Sequence, residues 1–231
     1  MQFMRVRGPD QALWPHRCAE RRGLCRHAGQ ARWPAWPQRQ RQNNAYENLC
    51  RLLQPTAGSV IIDKVPVGVF TKAVTSYLPD RMALPTEFTA DDAVSLYADF
   101  FTDFDKVKAN ALLADLHIGG RDKIDSMSKG TQEKMQLCLT MSRAARLYLL
   151  DEPIGGVDPA ARDYILSTIL NNYSRDATVI LSTHLIGDIE PILDEAVFLK
   201  DGRVFAHRNA EELRETEGMS VDAYFREVFK C

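Results

Sequence analysis

The sequence predicts an α/β fold with a largely parallel sheet, and three observations carry that prediction. Short apolar runs rich in β-branched residues alternate with stretches whose apolar residues recur at helical spacing. One such run, Leu147–Leu150, passes directly into two adjacent carboxylates, Asp151 and Glu152. A short glycine loop then reaches a third acid, Asp158. Ligands of open α/β sheets gather at the carboxyl ends of strands, so paired acids there suit a metal ion and an aimed water. Read in isolation, the same run also fits a core strand followed by a solvated acidic turn.

Asn48–Leu53 reads as the end of a helix, Gln54–Gly58 as a turn and Ser59–Asp63 as a β-branched strand. Val74–Leu78 is a second strand, stopped by Pro79. Thr89, followed by Asp91 and Asp92, caps a helix to about Phe101. A further helix spans Asp105–Leu116, its apolar residues on one stripe. This pair fits a helical insertion that docks a partner, or a plain surface pair. Ser128 is placed to cap a helix through Ala145. Then come a strand at Leu147–Leu150, a helix at Pro159–Tyr173, a strand at Ala177–Ser182 and a helix at Leu185–Leu193. Ala196–Lys200 and Arg203–His207 make a hairpin about Asp201-Gly202. Amphipathic helices at Ala210–Glu217 and Val221–Phe229 follow.

The 231 residues suffice for one large core with a smaller subdomain. A net charge of -2 argues against nucleic acid as the main partner. Five scattered cysteines give neither a disulfide framework nor paired metal-ligand spacing, which fits a reducing cytoplasm. No apolar run approaches the ~18 residues a membrane span needs, and the N-terminus lacks the apolar stretch of a secretory signal. These averages hide a break at residue 47. Residues 1–47 hold nine Arg, three acids and all three Trp, a net of +6, against -8 for 48–231.

Several short motifs stand in a fixed order. Met127-Ser128-Lys129-Gly130-Thr131-Gln132 precedes L-Y-L-L-D-E-P ending at Pro153, then Gly156-Val157-Asp158, then Ser182-Thr183-His184. Each alone is weak; the ordered set resembles the ATP-binding subunit of ABC transporters over about residues 48–207, as its signature motif, Walker B, D-loop and switch histidine. The resemblance implies a P-loop NTPase (RecA-like) core plus a helical subdomain near residues 81–145. It implies ATP and Mg²⁺ as cofactors. Asp151 would hold the metal, Glu152 polarise the attacking water, and His184 contact the γ-phosphate and Glu152. Ser128, Lys129 and Gly130, at a helix N-terminus, would face the γ-phosphate of ATP held by a second subunit, as the helix dipole favours. Asp158 would work across that dimer interface. The implied partners are a second ATP-binding subunit and a transmembrane permease, with the chain peripheral on the inner face of the cell membrane.

The chain departs from the pattern in three places. Asp80 stands where the family usually has Gln, an acid that can meet Mg²⁺ or water but cannot donate an amide N–H. Lys129 replaces the commoner Gly of the signature. Most important, no G-x-x-x-x-G-K-[ST] occurs anywhere, so the loop that cradles phosphate is missing as written.

Its expected place falls within residues 7–47, which show no period and are broken by Pro9, Pro15, Pro34 and Pro37. At face value this is a basic arm or an Arg/Trp nucleic-acid-binding extension. A third reading is out-of-frame translation. Back-translated and read from the second base, Trp36–Asn44 permits G-P-N-G-S-G-K-T-T, a phosphate loop whose Lys and first Thr fall at Gln42 and Asn43. On that reading residues 7–47 do not pack, a central strand is missing, and the chain as written binds Mg-ATP poorly. The function expected is an ATP hydrolase powering an ABC transporter, with export favoured by the Tyr-Leu-Pro-Asp and Asp-Glu-Pro-Ile-Gly-Gly-Val-Asp-Pro variants. Alternatives are an ABC-type ATPase uncoupled from transport, or a catalytically dead partner in a heterodimer.

Overall fold

The computed structural model describes residues 4–7, 31–35, 59–174, 176–200 and 203–229. Among the described residues, nine strands form two sheets. The main sheet runs β5 (Thr75–Leu78), β6 (Leu147–Asp151), β7 (Thr178–Ser182), β2 (Ala31–Ala35), β8 (Glu195–Lys200) and β9 (Arg203–Asn209). Its neighbours are parallel except for the antiparallel β8–β9 hairpin. A small antiparallel sheet joins β1 (Met4–Arg7), β3 (Ser59–Ile62) and β4 (Val65–Pro66). Asp63 and Lys64 turn the β3–β4 hairpin with φ of 50° and 65°, the mirror-image turn that matches strand twist.

Ala31–Ala35 corrects the expectation that residues 7–47 do not pack. These five residues fill the centre of the main sheet, Ala31 and Arg32 pairing with β7 and Arg32–Ala35 with β8. The slot between β7 and β8 exposes two rows of backbone donors and acceptors, and extended backbone satisfies them whatever its side chains. Pro34 has no N–H to give, and the β7 ladder stops at Arg32, two residues before it. Arg7 likewise belongs to β1, paired with Ser59. The expected helix end at 48–53, the turn at 54–58 and the Asp201-Gly202 turn lie outside the described residues.

Period-two alternation in β6 and β7 divides the core. Tyr148, Leu150, Val179 and Leu181 face one cluster, whereas Leu147, Leu149 and Ile180 pack against Val60 and Ile62 of the small sheet. The first cluster is completed by α5 (Pro159–Asn172), α6 (Ile186–Ile189), α7 (Ala210–Thr216) and α8 (Val221–Phe229). A short α1 (Val69–Ala73) precedes β5.

A separate apolar cluster, from Leu84 to Leu139, forms around α2 (Ala90–Phe100), α3 (Lys106–Asp115) and α4 (Lys129–Met141). Every residue of α4 from Met135 to Met141 is buried, because the helix is a wall shared by both cores. Two cations fasten this junction. Arg143 donates to Asp103 and to the carbonyls of Ala73 and Thr75, and lies over the Phe101 ring. Lys108 donates to the carbonyls of Met141 and Asn172, at the ends of α4 and α5. Burial lowers the Lys108 pKa.

Candidate functional site

Strand β6 is apolar until its last residue, so Asp151 reaches the carboxyl edge of the sheet while still buried. The pairing register sets it opposite Ser182, the last residue of β7. Ser182 Oγ donates to Asp151 Oδ1 at 2.5 Å and accepts from the Glu152 N–H at 3.1 Å, while Ser182 O accepts that N–H at 3.0 Å. One hydroxyl thus fixes both acids of the pair.

Glu152 leaves the strand in the left-handed region, φ 49°, an uncommon conformation for a residue with a side chain. The turn is closed by Gly155 N–H donating to Glu152 O at 2.9 Å. A Cβ at Gly155 would press on that same carbonyl at 3.2 Å, and Gly156 takes φ 75°, so both glycines serve the turn. The Glu152 side chain is only 6% exposed and points toward β7, where His184 Nδ1 stands 3.0 Å from Oε2 and 3.1 Å from Oε1. Thr183, buried between, accepts the Leu185 N–H and holds the turn that carries the histidine.

Asp151, Glu152 and His184 open onto a cavity of about 540 Å³. Asp80 and Arg81, just past β5, line it too, as does Lys129 at the start of α4. Of the site residues named from sequence, the fold therefore gathers Asp80, Lys129, Asp151, Glu152 and His184 at one place.

Ser128, Gly130 and Asp158 do not line this cavity. Ser128 caps α4, its Oγ accepting from the Thr131 N–H at 3.2 Å and lying 2.8 Å from Thr131 Oγ1. Asp158 caps α5 through the Ala161 N–H at 3.0 Å. Gln42 and Asn43 lie outside the described residues. Two residues with no role assigned from sequence also belong here. Ser182 stands in a quoted motif, but its bridge to Asp151 is visible only once β6 and β7 are in register. Gln136 lines the cavity from within α4.

Carboxylate oxygens are the donors a hard divalent cation takes, and Asp80, Asp151 and Glu152 supply them at one cavity. Among the described residues no three His, Cys, Asp or Glu side chains close on a common point. The set fits Mg²⁺, which is held by one or two carboxylates with water and substrate phosphate, better than a protein-enclosed metal.

Comparison with known proteins points one way. The family model described as an AAA domain, putative AbiEii toxin of a type IV toxin–antitoxin system, matches residues 74–187. The ABC transporter ATP-binding protein YtrB of Bacillus subtilis (strain 168) is 25% identical over 182 residues, 76% of this chain and 62% of YtrB. The chain thus spans somewhat less than two thirds of that relative's length. A solved ATP-binding subunit of an ABC transporter superposes with a TM-score of 0.83 at 20% identity, covering 98% of this chain and 99% of the other. A solved dimeric bacterial ABC transporter cassette gives 0.72 at 17% identity, covering 89% and 98%. The curated relative and the solved neighbours are ATP-binding parts of ABC transporters, and the chain is similar to them in sequence and shares their fold.

Proposed function

We propose that this protein is the ATP-binding and ATP-hydrolysing subunit that powers an ABC membrane transporter, of the exporter type. The observation that carries the reading is the Asp151–Glu152–His184 constellation at the carboxyl ends of β6 and β7. Glu152 is the general base. Its carboxylate takes a proton from a water whose oxygen attacks the γ-phosphorus as the bond to ADP breaks. His184 orients that carboxylate and meets the γ-phosphate. Asp151, with Asp80, would hold Mg²⁺, which would supply charge neutralisation on the phosphate oxygens.

Ser128, Lys129 and Gly130 sit at the N-terminus of a 13-residue helix. They face outward toward ATP carried by a second subunit, and Asp158 lies at the same interface. Among the described residues no helix is long and apolar enough to cross a membrane. On this reading the chain works against the inner face of the membrane with a transmembrane permease subunit. The helical subdomain near residues 81–145, which carries the α2–α3 pair, docks on it.

The sequence as written lacks the phosphate loop, and the segment where it belongs reads as a frame-shifted stretch spanning residues 7–47. In that form the chain binds Mg-ATP poorly and serves at most as an inactive partner in a heterodimer. The nucleotide sequence tests the shift: the second frame must carry GGC across Trp36-Pro37 and a Lys or Arg codon across Gln42. Titration of Mg-ATP tests the consequence. The chain as written should bind weakly, and a chain with residues 7–47 restored should bind and hydrolyse ATP. Micromolar affinity in the chain as written would overturn the inactive reading; no hydrolysis in the restored chain would overturn the active one.

A further inference from the structure

We propose that Gln136 is a positioning residue that locks the Asp80–Arg81 loop to helix α4, so that the loop moves with the helix whose N-terminus carries Ser128 and Lys129. The proposal deepens the nucleotide-site reading above and rests on it.

Gln136 is 3% exposed, in the stretch of α4 buried on all sides. A side-chain amide without partners there would cost a few kcal/mol of desolvation. All three of its hydrogen bonds go to one short loop. Oε1 accepts from the Ala83 N–H at 2.8 Å, and Nε2 donates to the carbonyls of Pro79 and Arg81, each at 3.4 Å. The Ala83 N–H can only donate and the two carbonyls can only accept, so the amide has one orientation and cannot be flipped.

The loop it holds is the crossing between two cores. Leu78, before it, is buried in the main cluster, and Leu84, after it, in the helical one. Between them Asp80 and Arg81 enter the cavity beside Asp151 and Glu152. An irregular crossing has no ladder to fix it, and here the amide of Gln136 replaces the ladder.

Ser128 lies eight residues earlier on the same helix, about 12 Å at 1.5 Å per residue. The helix is a rigid rod packed on both sides. A pull on its N-terminus by phosphate is delivered to Pro79, Arg81 and Ala83 through a single side chain, and so to Asp80. Loosening that side chain leaves helix and cavity in place but uncouples the acid from them.

The test compares wild type with Gln136→Met, which keeps volume but offers no amide, and with Gln136→Glu, which keeps an acceptor for Ala83 N–H but sets a carboxylate against two carbonyls. Amide exchange on the full chain as written, without nucleotide, is the first readout. In Gln136→Met, exchange across residues 79–84 should quicken at least tenfold while residues 129–141 keep their protection. Gln136→Glu should loosen the same loop and serves if the methionine variant fails to fold. Unchanged exchange at 79–84 in both variants would overturn the proposal.

The second readout is ATP hydrolysis by the chain with residues 7–47 restored. Half-saturating Mg²⁺ should rise several-fold in Gln136→Met with the KM for ATP little changed, and Asp80→Asn should add nothing further in the double variant. A loosened loop with unchanged Mg²⁺ dependence would make Gln136 a packing residue only and sink the coupling. If the restored wild type hydrolyses no ATP, the nucleotide reading falls, and the lock between Gln136 and the loop is decided by the exchange data alone.

Discussion

Nδ1 of His184 lies 3.0 Å from one oxygen of the Glu152 carboxylate and 3.1 Å from the other, across the gap between adjacent parallel strands. The acid is nearly buried and the imidazole is 59% exposed, so the pair has a fixed inner member and a solvent-facing outer one. A carboxylate held this way keeps its aim while its partner can still meet an incoming group. The following outcomes are expected.

Glu152→Gln keeps the shape of the turn but removes the proton acceptor. In the chain with residues 7–47 restored, kcat should fall by about 10²–10⁴, the usual worth of a general base, with the KM for ATP changed far less. Single-turnover hydrolysis measures it, and a variant retaining more than a tenth of wild-type kcat would remove Glu152 from that role.

The positive φ of Glu152 is a stability cost kept for function. Glu152→Gly should therefore be more stable than Glu152→Ala by about 1 kcal/mol, because both lose the carboxylate but only alanine keeps a Cβ in the left-handed region. Urea midpoints of the two variants decide it; equal midpoints would mean that the turn relaxes.

Ser182→Ala removes the hydroxyl that donates to Asp151 Oδ1 and accepts from Glu152 N–H. Its loss inside the core should cost about 1–3 kcal/mol in denaturant unfolding. It should also weaken Mg²⁺ activation in the restored chain, since Asp151 loses its orienting partner. Loss of stability with unchanged Mg²⁺ dependence would confine Ser182 to folding.

Burial pushes the Cys138 thiol up to about 11 from the ordinary 9.0, over an opposing contact with Tyr164. The folded state prefers the protonated thiol. Stability from this group is therefore full below pH 9 and is lost as pH rises through about 11. Burial raises Tyr97 and Tyr148 as well, so the whole protein should weaken in alkali. The share due to the thiol is the difference between wild type and Cys138→Ala in midpoints from pH 8 to 11. Parallel curves would mean that the thiol makes no contribution.

Much of this molecule is legible in the sequence because its signals are local. Thr89 caps its helix as expected, accepting from the Asp92 N–H, and the helix expected from Asp105 begins there, with Asp105 accepting from the Lys108 N–H. The strand ends and the motifs beside them point Asp80, Asp151, Glu152 and His184 to one sheet edge, where the cavity gathers them. The misses arise where distant parts decide. Helix α4, expected to reach Ala145, ends at Met141 because Asp105 N–H takes the Ser142 carbonyl and the Tyr148 hydroxyl takes that of Arg143. The helix expected at Leu185–Leu193 tightens into a 3₁₀ turn at Glu190–Ile192, where Pro191 removes a donor. Ala31–Ala35 has no periodicity to announce a strand, since its sheet neighbours lie far along the chain. The Ser182 and Gln136 contacts depend on register and burial, which short motifs do not encode.

That central strand also sets when the protein can fold. Ala31 pairs with Val179 and Arg32 with Glu195, so both neighbours are synthesised long after the strand itself. Pairings this distant are closed slowly, because chain entropy is lost before the contacts return anything. While the ribosome is still working, the helical cluster from Leu84 to Leu139 can assemble by itself, but the main sheet must wait. The interval leaves β2 without either of its partners, and chaperone dependence of expression should track it.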